Sequence, residues 1–127
     1  MFKKIEAIIR EQALDAVREA LAVIGIVGMN VQEVRGRGRH GDHEHSPIYA
    51  YRHGDMLPKI QLNIILSEHN VEATVEAIMK AARTNTEGDG IIFILPVDDV
   101  VRIRTGERGS NALSYPDDID ARRAQKN

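Results

Sequence analysis

The sequence predicts an α+β fold, and three features of its pattern carry that expectation. Strand-like alternation and helix-like periodicity take turns along the 127 residues. They group into two β-α-β units of similar size. A long irregular stretch separates the units, and a short strand follows the second. This order suits a split β-α-β, ferredoxin-like sandwich with two helices covering one face of the sheet. The other face then needs a cover of its own, and self-association supplies it most economically.

Each element follows from local pattern. Residues 2–10 read as a strand, because Ile5, Ala7 and Ile9 alternate with Lys4, Glu6 and Ile8. From Gln12 the period changes. Leu14, Val17, Leu21 and Ile24 fall on one helical stripe, and Gly25 stops it. Residues 29–34 form a second, Val-rich strand between Gly28 and Gly36. Residues 36–58 keep no period. They hold Gly36, Gly38, Gly41 and Gly54, two prolines, and His40, His43, His45 and His53. A loop of that length in a compact domain is usually functional or disordered.

Residues 59–66 resume as a strand with Ile60, Leu62, Ile64 and Leu66 on one face, and Ser67 is placed to cap the next turn. Residues 71–82 are helical, with Val71, Val75, Ile78 and Ala82 sharing a face. A turn over 84–90 leads into a strand over 91–95, and 100–104 reads as a last short strand. Beyond Gly109 the chain becomes polar and is expected to be mobile or docked on a partner. The domain is therefore placed at residues 1–113, with a polar C-terminal tail at 114–127.

Composition narrows the function. Apolar content of 43% and charged content of 28% suit a globular domain with a modest core. A net charge of -2 gives no bulk attraction to nucleic acid, and 4% aromatics without tryptophan offer little for base stacking. The absence of cysteine removes disulfides, thiolate metal sites and cysteine nucleophiles, and fits a reducing, cytoplasmic setting. No apolar run reaches the ~18–20 residues that span a bilayer.

The chemistry concentrates in Glu87-Gly88-Asp89-Gly90 and the basic segment that follows. Gly88 and Gly90 permit positive φ and close approach of a ligand. Strand alternation over 100–104 places Arg102 and Arg104 on one face, where they repel unless an anion lies between them. A glycine turn beside such a pair suggests a phosphate site. The plainer alternative is two surface arginines paired with water and carboxylates. Asp89 has two readings of equal standing, turn-former and ligand contact.

These residues, taken with Lys4-Ile5-Glu6-Ala7-Ile8-Ile9, Leu14-Asp15-Ala16-Val17-Arg18-Glu19-Ala20-Leu21, Gly28-Met29, Val34-Arg35-Gly36-Arg37-Gly38-Arg39, Leu57-Pro58-Lys59, Ile92-Phe93 and Arg102-Ile103-Arg104-Thr105-Gly106-Glu107, give a chain that resembles the P-II signal transduction proteins over about residues 1–107. The resemblance implies a homotrimer with an adenine-nucleotide site (ADP, AMP or ATP) in each intersubunit cleft. It also implies a T-loop, here about residues 37–57, that grips a regulated enzyme, transporter or other protein. By position, Gly38 and Arg39 approach the phosphates, and Gly88, Asp89 and Gly90 offer them backbone N–H groups. Arg102 and Arg104 reach across the interface. Asn30 and Ile65 lie near the adenine and ribose.

The departures point to a divergent member. Ile91 stands where the family usually has a basic residue, which removes a phosphate cation worth ~1–3 kcal/mol. His40 replaces the glutamine that helps hold Mg-ATP and 2-oxoglutarate. In the T-loop, Ile48-Tyr49-Ala50-Tyr51-Arg52-His53 puts Arg52 where the modified tyrosine usually stands, with Tyr51 one place away. Arg10-Glu11-Gln12 replaces Lys-Pro-Phe. His40, Tyr49, Tyr51 and Arg52 are thus candidates for a partner or second ligand. Bicarbonate is one choice, sensed with ADP or AMP by a carboxysome-associated subgroup; another subgroup is linked to nitrogenase.

His43 and His45, with His40 and Asp42, have ligand types that suit zinc or nickel, but histidines two apart on an irregular loop are more often solvated. Unperturbed histidine titrates near ~6.5, so the loop also suits a pH response. No nucleophile–base–orienter set is visible, and the chain does not read as an enzyme. Two alternatives stand beside the nucleotide sensor. One is a metal-binding trimer using the histidine loop. The other is an ordinary nitrogen regulatory P-II protein sensing 2-oxoglutarate.

Overall fold

The computed structural model describes residues 1–37 and 56–126. Strand β1 (Phe2–Ile9), helix α1 (Leu14–Ile24), β2 (Asn30–Gly36), β3 (Leu57–Ser67), α2 (Val71–Ala82) and β4 (Gly90–Val97) follow one another in the expected order. A 3-10 turn leads into each of these helices, Glu11–Ala13 before α1 and Glu68–Asn70 before α2. The sheet runs β2-β3-β1-β4, and every pairing is antiparallel. β1 and β2 are therefore parallel with β3 inserted between them, which is the ferredoxin-like split β-α-β arrangement.

Alternation decides which face each strand gives to the helices. Ile5, Ala7 and Ile9 of β1 and Ile60, Leu62, Ile64 and Leu66 of β3 are buried against Val17 and Leu21 of α1 and Val71, Ile78 and Ala82 of α2. Burying each of these valine, leucine and isoleucine side chains stabilises by about 1.5–3 kcal/mol before entropy is counted. α1 stops where its glycine takes φ +93°, with Gly25 N–H bonded to Ala22 O at 3.1 Å and Ile26 N–H to Leu21 O at 2.9 Å. That pair of bonds satisfies the last carbonyls and turns Ile26 back into the core.

The other sheet face is open and two-toned. Gln61 Nε2 donates to Asn63 Oδ1 at 2.9 Å, and Asn63 Nδ2 donates to Asn30 Oδ1 at 2.9 Å and Gln32 Oε1 at 3.0 Å. Lys4 pairs with Glu6 at 3.0 Å. Toward β4 the same face becomes apolar, with Ile91 and Phe93 exposed. No helix of the described residues is long and apolar enough to cross a membrane.

Three expectations change. Residues 100–104 do not form a strand: only Val101 bridges, to Arg108, and the chain turns tightly between them. Arg102 N–H donates to Glu107 O at 2.9 Å and Gly106 N–H returns to Arg102 O at 2.8 Å, so the segment closes on itself before it can pair with the sheet. The shared face inferred for Arg102 and Arg104 from strand alternation therefore does not arise. Ser67 stands at the cap position of the turn before α2, but its hydroxyl makes no capping bond. The polar tail folds into α3 (Ser110–Leu113) and α4 (Ile119–Lys126), which lie against their own chain. Ile119 N–H donates to Gly25 O at 2.8 Å and Arg122 Nη1 to Val23 O at 2.7 Å.

Candidate functional site

The Gly88-Asp89-Gly90 turn is held from inside. Asp89 accepts from Thr84 N–H at 2.8 Å, from Asn85 N–H at 3.0 Å and from the Thr84 hydroxyl. Desolvation pushes its carboxyl up, but these hydrogen bonds and the Arg10 charge outweigh it and hold the group below the usual carboxylate range. Of its two roles, turn-former is the one these bonds describe. Gly88 and Gly90 take φ of +93° and +124°. A Cβ at Gly90 would lie 2.0 Å from Ile8 O, so the turn cannot leave the sheet there with any other residue.

In the sequence Arg10 stands out only as part of Arg10-Glu11-Gln12 in place of Lys-Pro-Phe. Its guanidinium reaches across to the turn and donates to Thr86 Oγ1 at 3.2 Å and to Glu87 O, while its Nε lies 3.6 Å from Asp89. These contacts join residues 76 and 77 positions apart, and no local pattern signals them. Lys59 Nζ lies 3.4 Å from Gly88 O, which leaves an ammonium beside the turn. Ile91, just past the turn, is exposed on the open face.

Asn30 and Ile65 lie elsewhere. Both line an open cleft of about 240 Å³ between the α1–β2 turn, the end of β3 and the C-terminal tail, where Leu113 and Tyr115 form the opposite wall. Arg102 belongs to this end of the molecule. Its guanidinium carbon sits 5.2 Å from the centre of the Tyr115 ring, and its Nη2 donates to Ser114 O at 3.3 Å. Arg104 is exposed in the tight turn beyond it.

Strand register separates the two groups. Gly90 and Ile60 both pair with Ile9, whereas Ile65 pairs with Lys4. Ile65 therefore lies five residues of strand from the turn, roughly 17 Å at ~3.3 Å per residue, and Asn30, which pairs with Asn63, lies three residues away, roughly 10 Å. Within one chain, Gly88, Asp89, Gly90 and Lys59 stand at one end of the sheet, Asn30 at its middle and Ile65 toward the other end. Gly38, Arg39, His40, His43, His45, Tyr49, Tyr51 and Arg52 fall outside the described residues. Among the described residues no cluster of histidines and carboxylates could hold a metal ion.

The tail is pinned beside the cleft by a polar cluster. Asp118 accepts from Tyr115 N–H at 2.8 Å and Ala121 N–H at 2.9 Å, closing the turn into α4. Asp120 accepts from Asn70 Nδ2 at 2.9 Å and lies 3.0 Å from His69 Nε2. Desolvation raises the Asp120 carboxyl, but the Asn70 and His69 hydrogen bonds, with the charges of His69 and Arg123, hold it below its ordinary value.

This fold defines a small ferredoxin-like α+β protein with a glycine turn at one end of its sheet and an open cleft further along it. The family model described as "Nitrogen regulatory protein P-II" matches residues 2–107. The chain belongs to the P-II family. It is 49% identical over 111 residues to the nitrogen regulatory protein P-II of Cereibacter sphaeroides, covering 87% of this chain and 99% of that one. It is 48% identical to nitrogen regulatory protein P-II 1 of Methanothermobacter thermautotrophicus over 87% of this chain and 96% of that one. The crystal structure of Arabidopsis thaliana PII bound to citrate superposes with a TM-score of 0.73 at 38% identity, over 92% of this chain and 94% of that one.

Proposed function

We propose that this chain is a P-II regulator that binds an adenine nucleotide (ADP, AMP or ATP) between copies of itself and passes the result to a partner protein or transporter through residues 37–57. One observation carries the reading. The glycine turn with Lys59 forms one half, and the cleft of Asn30 and Ile65 with Arg102 forms the other, Asn30 standing roughly 10 Å and Ile65 roughly 17 Å further along the sheet. Neither half holds both a phosphate cradle and a base cleft. A second copy, placing its Arg102 end against this chain's turn, completes both. A homotrimer built this way also covers the exposed Ile91 and Phe93.

Ile91 leaves the phosphate end short of a cation, which favours a di- or monophosphate over a triphosphate. With His40 in the loop, a small anion such as bicarbonate fits better than 2-oxoglutarate as the second ligand. Nucleotide and anion act by favouring one loop arrangement over another, so they must bind the two unequally. In this reading the protein works in the cytoplasm and regulates rather than catalyses. A 2-oxoglutarate sensor is the second reading. It is favoured by the 49% identity to a protein named for nitrogen regulation and by the citrate carried by the plant relative.

Calorimetric titration with ATP, ADP and AMP, each with and without bicarbonate or 2-oxoglutarate, tests both readings, alongside light scattering for oligomeric state. Tight ADP or AMP binding, coupled to bicarbonate and carried by a trimer, is the expected result. ATP binding that strengthens with 2-oxoglutarate would establish the second reading instead, and a monomer without nucleotide affinity would remove both.

A further inference from the structure

We propose that the C-terminal tail is an intramolecular occupant of the base-side cleft, which a nucleotide must displace in order to bind. The proposal rests on the nucleotide reading above. The bare face of Gly28 is filled by the Tyr115 phenol: a Cβ built there would lie 2.7 Å from both a ring carbon and the hydroxyl. The same ring lies under the Arg102 guanidinium, 5.2 Å from its centre, while Ser114 O accepts from Arg102 at 3.3 Å. One short segment therefore covers Gly28, walls the cleft that Asn30 and Ile65 also line, and engages the cation at that end.

The tail is anchored firmly enough to stay and loosely enough to leave. Its anchors are the bonds to Val23 O and Gly25 O and the Asp120 contacts to Asn70 and His69. His69 and Asp120 are about half exposed, so their pairing in water is weak. The family match ends at residue 107, so this segment lies beyond the matched region. An occupied cleft lowers apparent affinity by the fraction of molecules in which it is closed.

The test uses the full-length chain and two variants, Tyr115→Ala, which empties the Gly28 face, and Arg122→Ala, which loosens the anchor without touching the cleft. ADP affinity is measured by calorimetry, and amide exchange over residues 115–126 is followed with and without ADP. Both variants should bind ADP about three- to tenfold more tightly than the parent. Added ADP should speed exchange across the tail in the parent. Unchanged affinity in both variants would overturn the proposal. So would weaker binding by Tyr115→Ala, which would make the phenol a wall for the base, or tail amides that ADP protects. If no form of the chain bound any nucleotide, the underlying nucleotide reading would fall, and this proposal with it.

Discussion

The Gly88–Gly90 end of the molecule and the Arg102 end each hold a guanidinium, and they do so in opposite ways. At the Gly88–Gly90 end the support is built into the domain. Arg10 comes from just past β1, Asp89 braces the turn from within, and Gly90 fits where no side chain could. At the Arg102 end the support is added on. The aromatic ring and carbonyl that hold the guanidinium belong to a tail outside the family match. Built-in support is expensive to disturb because the sheet goes with it. Added support can be released while the core stays folded.

The contrast is broken first at Gly90. Gly90→Ala forces a Cβ into Ile8 O at a φ that favours glycine, and should cost roughly 3–5 kcal/mol, seen as a large fall in denaturation midpoint. A midpoint close to the parent's would mean that β4 can shift to make room. Arg10→Ala comes next, removing the strut under Glu87 and Thr86. It should cost about 1–3 kcal/mol and speed amide exchange over 84–89 while leaving 119–126 unchanged. Equal loosening of both segments would show that the ends are not independent.

Ile91→Lys acts on ligand binding rather than on stability. A cation restored beside the turn should strengthen ATP binding by about 1–2 kcal/mol, close to tenfold, and ADP by less. Equal gains for ATP and AMP would place Ile91 away from the distal phosphates.

The smallest effect is on the tail. Asp120 has a carboxyl pKa below its ordinary 3.8 in the folded chain, so its contribution to docking is fully present above about pH 3.8 and is lost as pH falls through the folded value. Asp120→Asn should loosen docking by about 0.5–1 kcal/mol and remove most of the acid dependence of exchange in 119–126. If acid released the tail equally in the variant, a group other than Asp120 would be responsible.

What could be read in advance follows from the range of the interaction. The 71–82 helix was legible because Val71, Ile78 and Ala82 repeat at helical spacing and meet the sheet at that spacing. β1 and β3 were legible because their buried residues alternate along one face, whereas β2 was legible as a Val-rich stretch between glycines and β4 as an apolar run after a glycine turn. Residues 100–104 misled, because Val-Val-Arg-Ile-Arg alternates like a strand while Gly106, at φ +74°, lets it close into a turn first. On the site, Gly88, Gly90 and Asp89 announced a special turn. Arg10 did not, since its partners lie 76 and 77 residues away. Tail docking left no sequence signal either, because its main anchors are backbone carbonyls, which every residue carries.

That choice of anchor bears on how such a segment could be acquired. Val23 O and Gly25 O sit at the end of α1, where carbonyls without intrahelical partners otherwise turn to water. A guanidinium there also meets the negative end of the helix dipole. Gly25 already had to be bare to stop the helix, and that bareness is what lets residue 119 pass: a Cβ at Gly25 would lie 2.7 Å from the Ile119 nitrogen. An appendage that grips main chain at a pre-existing stop asks almost nothing new of the body beneath it. Such a segment can be docked or released with the sequence of the core left as it is.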